Sequence, residues 1–433
     1  MNMTIKSLDR CANSGALESP YTTDVGREIR KKAADLVPLL RKNALEGEAL
    51  GALTRESLEA LNGIGAFRLT LPKDVDGFAL GARDVVEIVS EVARGDGAAG
   101  WIIFVAGGLR NILAFPDDAV KEIFDCGREW IGPLAAGASI FATKVGSARR
   151  VEGGWMVSGA WHFGSGCKHA KWIAVGVDYE QVPGQSSRAM AILNADQVDI
   201  IDNWHVMGMK ATSSNSLTVK EEQFVPDRRF MDMRDFPVRM DETRRRYSGF
   251  ASKFGARGLM LLTNLTHMAI VLGMARGALE CYIEMAKKQQ PFNLPYPRVA
   301  EMASTQVCAA KAYAMIKMAE AVTYRNADTL DRHALECIEI SPEQEQAMMM
   351  EAVYATNSLD GVIGMLQLSI GSATASENNP VQRFARDARV ALLHGAVRLD
   401  PTAEIFGRQL MGIASFPMFA GGLPDRAQSA PVP

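Results

Sequence analysis

Cysteine is scarce in this chain: six in 433 residues (Cys11, Cys126, Cys167, Cys281, Cys308 and Cys337), scattered and never in a C-x-x-C pair. That spacing excludes a disulfide framework and implies reduced thiols in a cytosol. Histidine is equally rare, and no two of the six stand at i, i+4, so metal ligation from one helix face has no support. The patterns G-x-x-x-x-G-K-[ST], H-E-x-x-H and G-x-S-x-G are missing, as is any nicotinamide-binding fingerprint. No charge of one sign predominates: 47 Lys+Arg against 50 Asp+Glu leave a net −3. A nucleic-acid binder would show a basic stripe instead. The first 24 residues are polar, without the apolar core of a targeting signal. The longest apolar tract, residues 258–277, is interrupted by Thr263, Asn264, Thr266 and His267. It reads as a buried helix, with no membrane span and a cytoplasmic location expected.

What is present is ordinary globular material, 48% hydrophobic and 22% charged, with length for about three core units. Residues 24–44 carry Val25, Ile29, Ala33, Val37 and Leu40 at helical spacing. Thr54 is placed to cap a second helix. Residues 81–94 and 98–113 predict two more, parted by a G-D-G break. Between 131 and about 229 the period changes. Trp155, Val157, Gly159, Trp161 and Phe163 alternate with Met156, Ser158, Ala160 and His162, as in a strand. Six to eight strands are expected. Helices return at about 252–289, 298–326, 341–368, 381–394 and 402–411, as an antiparallel bundle whose apolar faces favour oligomers. The expected division is a flexible 1–23, a helical domain 24–130, a β-domain 131–245, a bundle 246–420 and a loose tail 421–433. The fold class is mostly α with a central β-barrel or β-sandwich domain.

Three segments carry a resemblance. They are VEGGWMVSGAWHFGSGCKHAKWIAVG, NWHVMGMKATSSNSLTVKEEQFVPDRR and NPVQRFARDARVALLHGAV, in that order. They resemble the flavin-side strands, the W-x-x-x-G-(R/K)-(A/G)-T-x-S…F-V-P segment and the P-V-x-x-x-x-R-D-A-(K/R) stretch of acyl-CoA dehydrogenases. Dehydrogenases of the medium-chain type follow the last motif with a catalytic glutamate. The aligned position here is Gly395, which cannot take a proton. With Ser165-Gly166 after the aromatic strand and Leu393-His394 after R-D-A-R, the chain is most similar to the branch of reduced-flavin monooxygenases. That branch includes two-component phenol hydroxylases and dibenzothiophene monooxygenase.

The resemblance implies a homotetrameric oxygenase component that receives reduced FMN or FAD from a separate NAD(P)H:flavin reductase. It would hydroxylate a phenol- or indole-like small molecule with O2 through a flavin C4a-hydroperoxide. N-hydroxylation of an amine and acyl-CoA dehydrogenation, with a base near Glu280 or Glu284, are the alternatives. By the same resemblance His394 and Ser165 are the catalytic candidates. Taken singly, a serine in G-S-G serves a turn and a lone histidine is structural. Phe163, Gly164, Ser165, Gly166, Thr212, Ser214, Arg298, Gly371 and Arg386 are candidates for flavin binding. Arg386 reads equally well as an ion pair within the bundle. Trp101, Phe104 and Asn111, on the apolar segment after G-D-G, are candidates for the substrate wall, or plain core packing. His162, His169 and His205 carry no catalytic expectation.

Overall fold

A computed structural model describes residues 19–127, 129–138, 140, 145–182, 184–414 and 416. The expected loose tail, Cys11 and most of the expected flexible N-terminus lie outside these. The first helix, α1 (Asp24–Leu50), begins where the Thr23 hydroxyl accepts the Gly26 N–H, and stops at Gly51 in the left-handed region. Ile29, Ala33, Val37 and Leu40 are buried, whereas Val25 in the first turn stays exposed. Thr54 caps α2 (Arg55–Gly63) as expected. Asp96 ends α3 (Ala82–Gly95), and its side chain accepts the Ala98 N–H to start α4 (Gly97–Ala106). The single helix predicted for 98–113 ends early. At Gly107-Gly108, poor α-helix formers, the chain tightens into a 3-10 stretch over Gly107–Ala114. A short α5 (Asp117–Asp125) follows, which the apolar pattern did not predict.

The strands are β1 (Ala135–Ala138), β2 (Gly146–Val151), β3 (Gly154–Gly164), β4 (Trp172–Val182), β5 (Gln185–Asn194), β6 (Asp199–Ile201), β7 (Asn215–Pro226) and β8 (Phe230–Asp232). They form one sheet in the order β6-β7-β3-β2-β4-β5-β8, with β1 added parallel to β4. The period-two pattern is visible in β4. Ile173, Val175 and Val177 face one apolar cluster, while Trp172 and Ala174 face another that includes Leu109 and Ile112 of the 3-10 stretch. In β3, Trp155, Val157 and Trp161 are core residues, but Phe163 departs from the alternation. The register slips between Trp161 and Gly164, Phe163 takes φ +59°, and its ring is 68% exposed. The stretch expected to belong to the β-domain up to 245 contains a helix, α6 (Phe236–Arg246).

The bundle comprises α7 (Ala256–Lys288), α8 (Ala303–Glu336), α9 (Pro342–Ile370), α10 (Pro380–Leu392) and α11 (Leu399–Leu410). Two stretches, Gly97–Ala114 and Ala256–Lys288, are long and apolar enough to cross a membrane by length and composition alone. Both are mostly buried inside the fold. α7 lies hard against α3: a Cβ on Gly273 would stand 2.3 Å from the Ser90 carbonyl oxygen, and one on Gly277 2.4 Å from that of Arg94. α8 runs ten residues past the predicted end at 326. Asp331 is the reason: its carboxylate accepts the Ala82 and Arg83 N–H groups at 2.6 and 2.8 Å, capping α3 from inside the protein. Burial raises the Asp331 pKa to about 7.

Candidate active site

The turn before β7 is gripped by α10. Asp387 accepts the Met209 N–H at 2.5 Å. Arg386 donates to the Met207 carbonyl and, at 3.0 Å, to Glu48 of α1. A Cβ on Gly208 would fall 2.4 Å from the Arg386 carbonyl oxygen, so only glycine fits against the helix there. Burial beside Asp96 and Glu48 raises the Asp387 pKa to about 7. Held this way, Met209 and Ser213 sit at φ +55° and +45°, strained values for residues with a side chain.

The turn displays a chain of hydroxyls. Thr212 Oγ1 lies 2.8 Å from the Met209 carbonyl, Ser214 Oγ 2.7 Å from Thr212 Oγ1, and Ser165 Oγ 2.7 Å from Ser214 Oγ. The carbonyl can only accept, which fixes every proton. Thr212 donates to Met209, Ser214 to Thr212, and Ser165 to Ser214. Ser165 therefore offers the cavity lone pairs, not a proton. Its position is set by the Gly166 N–H, which donates to the Thr212 carbonyl at 2.8 Å. Gly164 sits behind it, packed on Leu217 and Asn215. Trp204 donates its Nε1–H to the same Met209 carbonyl at 3.1 Å and meets Phe163 edge to face, at 6.2 Å between ring centroids.

The opposite wall is helical and aromatic. Trp101 lies 5.2 Å from Phe104, 4.9 Å from His267 and 5.6 Å from His394, centroid to centroid. The two imidazoles are 5.1 Å apart. His267 bonds the Ala391 carbonyl through Nε2 at 2.8 Å, and burial next to His394 drives its pKa down to about 3. It is a neutral donor tying α7 to α10. His394 Nδ1 accepts the Ala396 N–H at 3.4 Å, which leaves the proton of the neutral ring on Nε2. Desolvation lowers the His394 pKa below its ordinary value. Past it, Gly395 has no atom within 4 Å of where a Cβ would stand.

These walls enclose a cavity of about 1110 Å³, more than one small ligand usually fills. Phe163, Ser165, Thr212, Ser214, Trp101, Phe104, Asn111 and His394 all line it. Other predicted residues do not. Arg298 is exposed and donates to the Lys287 carbonyl at 2.7 Å. Gly371 is the exposed terminus of α9, at φ +83°. Arg386 is occupied in holding the turn. His169 accepts the Leu53 N–H at 3.0 Å, His162 pairs with Ser216 at 2.8 Å, and His205 is exposed. Glu280 is bound by Arg41 and Arg94 at 2.9 and 2.7 Å, and Glu284 is exposed. No Asp or Glu stands among the described lining residues.

Four contributors went unpredicted: Trp204, His267, Asp387 and Arg110. Asp387 was legible inside the R-D-A-R motif. Arg110 was legible as a lone cation in the apolar run G-G-L-R-N-I-L. Trp204 stood in the quoted turn segment without a role. His267 gave no signal beyond one polar residue in an apolar helix.

A flavin fits this site by its donor set. Ser165 is an acceptor of fixed polarity, Phe163 and Trp204 offer ring faces and edges, and no carboxylate opposes an electron-rich ring. Residues 265–399 match the acyl-CoA dehydrogenase C-terminal domain family. The flavin-dependent monooxygenase oxygenase subunit HsaA of Mycobacterium tuberculosis is 27% identical, over 88% of this chain and 94% of its own. The indole-3-acetate monooxygenase of Acinetobacter baumannii is 26% identical, over 89% and 96%. The solved structure of XiaF from Streptomyces, in complex with FADH2 and glycerol, superposes with a TM-score of 0.81 at 21% identity, over 91% of this chain and 97% of that one. The chain has the acyl-CoA dehydrogenase fold, and over nearly its whole length it is similar to flavin-dependent monooxygenases.

Proposed function

We propose that this chain is the oxygenase component of a two-component system, hydroxylating a phenol- or indole-like molecule with reduced flavin and O2. A separate NAD(P)H:flavin reductase supplies the flavin, and the oxygenase works as a cytoplasmic homotetramer. One observation carries the reading: Ser165, an acceptor by the logic of its hydroxyl chain, and His394, a neutral donor at Nε2, line one cavity with no carboxylate among its described lining residues. A dehydrogenase would need a carboxylate base there.

Phe163, Ser165, Trp204, Thr212 and Ser214 would hold the flavin ring. When bound, reduced flavin supplies the electrons that activate O2. The protein's part is local. Ser165 accepts a ring N–H without being basic enough to remove the proton. His394 donates a hydrogen bond and relays a proton at Nε2 while staying neutral. Trp101, Phe104 and the apolar residues of α4 and α7 exclude water, which would otherwise divert oxygen to free peroxide. The exposed Phe163 and Leu393 at the cavity, both 68% accessible in one chain, support cover by further subunits.

The test supplies chemically reduced flavin, O2 and a panel of phenols and indoles, and counts product and hydrogen peroxide. His394→Ala should lower product per reduced flavin and raise peroxide, with the circular dichroism spectrum kept. An unchanged yield removes His394 from the chemistry.

A further inference from the structure

Arg110 is the one arginine or lysine among the described lining residues of the cavity, and the chemistry above leaves it unused. It stands in the 3-10 stretch Gly107–Ala114 and lines the cavity next to Asn111. Its Nε and Nη1 are buried without a hydrogen-bond partner, and it has no ion-pair partner among the described residues. The surroundings explain why this is unusual. Two other interior arginines are matched to acids: Arg83 to Glu87 at 2.7 Å and Arg276 to Glu91 at 2.7 Å. Arg110 meets Leu113, Phe254 and Leu259 on one side and the cavity on the other. Desolvation alone lowers its pKa, to about 10, which still leaves it charged at neutral pH. An enclosed, unpaired guanidinium is costly unless a ligand completes it.

Its place separates it from the flavin-side residues. Phe163, Ser165 and Trp204 come from the sheet and the turn before β7. Arg110 comes from the N-terminal helical layer and also borders a second small pocket lined by Thr243 and Tyr247 of the α6 region. We propose that Arg110 recognises an anionic carboxylate on the aromatic substrate, so that the preferred substrate is an aromatic acid. The planar fork of an arginine offers a carboxylate two parallel N–H donors, which a phenolic hydroxyl cannot use as a pair. Trp101 Nε1, also buried on the cavity wall without a partner, is a further donor available to the ligand. The same cation opposes a protonated amine, which argues against the N-hydroxylase alternative. This inference rests on the hydroxylase reading for its substrate class.

The test compares matched pairs by calorimetric binding to the flavin-free protein: indole-3-acetate with 3-methylindole, and 4-hydroxyphenylacetate with 4-methylphenol. Wild type should bind each acid roughly ten- to a hundredfold tighter than its neutral partner, the worth of a charge-assisted pair. In Arg110→Met that ratio should collapse to within about threefold of one, and Arg110→Lys should fall between. Equal affinities in the wild type, or a ratio that survives Arg110→Met, overturn the proposal. The ratio is internal to each protein, so partial loss of folded material does not move it. Turnover of the neutral partners with reduced flavin is scored separately. Hydroxylation without acid preference sinks the Arg110 assignment alone, whereas tight acid binding with no hydroxylation of any ring sinks the oxygenase reading instead.

Discussion

Replacing Ser214 by alanine tests the direction of the hydroxyl chain while leaving the Ser165 oxygen in place. Ser214 accepts from Ser165 and donates to Thr212, both at 2.7 Å. Its loss removes two part-buried neutral hydrogen bonds at about 1 kcal/mol each, so stability should fall by about 1–2 kcal/mol. The functional effect is different in kind. Thr212 still has the Met209 carbonyl, but Ser165 loses the Ser214 acceptor, its one hydroxyl partner among the described residues, and is free to turn its proton into the cavity. The orienting preference is about 1 kcal/mol, and a factor of ten corresponds to about 1.4 kcal/mol, so the ratio of acceptor to donor orientations falls roughly fivefold and the acceptor population from about 85% to about half. Product per reduced flavin should fall a little under twofold, by about the same ratio as that population, with matching peroxide. Ser165→Ala, which removes the acceptor outright, should fall further. The assay is product and peroxide counted together after mixing reduced flavin, protein and an aromatic in air. If Ser214→Ala keeps the wild-type yield while Ser165→Ala loses it, the relay does not set the polarity of Ser165.

Two further predictions concern pH. The lowered pKa of His394 keeps its ring neutral into mild acid, so the acid limb of product formation should lie below pH 6.5, the ordinary imidazole value; a limb at or above that value contradicts the assignment. Asp387 has a folded pKa near 7 against 3.8 when unfolded, so the folded state holds the extra proton and stability should fall as pH rises from about 4 to 7. Asp387→Asn keeps an oxygen for the Met209 N–H and should flatten that dependence in urea midpoints taken at pH 5 and 8; an undiminished slope assigns it to other buried acids such as Asp96.

Much of the fold is written in periodicities that survive inspection of one chain. The stripe Ile29, Ala33, Val37, Leu40 and the alternation Trp155, Val157, Trp161 both reach the core. The departures have tertiary causes. The helix expected to end at 326 continues past Asp331, whose partners, the N–H groups of residues 82 and 83, lie some 250 residues away in the chain. Phe163 was read as part of the strand's regular alternation because a bulge leaves no mark in an alternating pattern. At the site, Ser165, Thr212, Ser214 and His394 converge on one cavity, although the segments that carry them are far apart in sequence. Arg386 and Asp387 were visible as a motif, but their work on the turn at Met207–Met209 depends on a contact between domains that spacing cannot encode.

The central claim is that the space between the Ser165 hydroxyl chain and the Trp101–His394 wall receives reduced flavin. A crystal structure of the protein soaked anaerobically with reduced flavin tests it most directly. The ring should lie within hydrogen-bond reach of Ser165 Oγ, with His394 lining the same space. A ring bound elsewhere on the protein, or no binding at concentrations that saturate a flavin site, contradicts it.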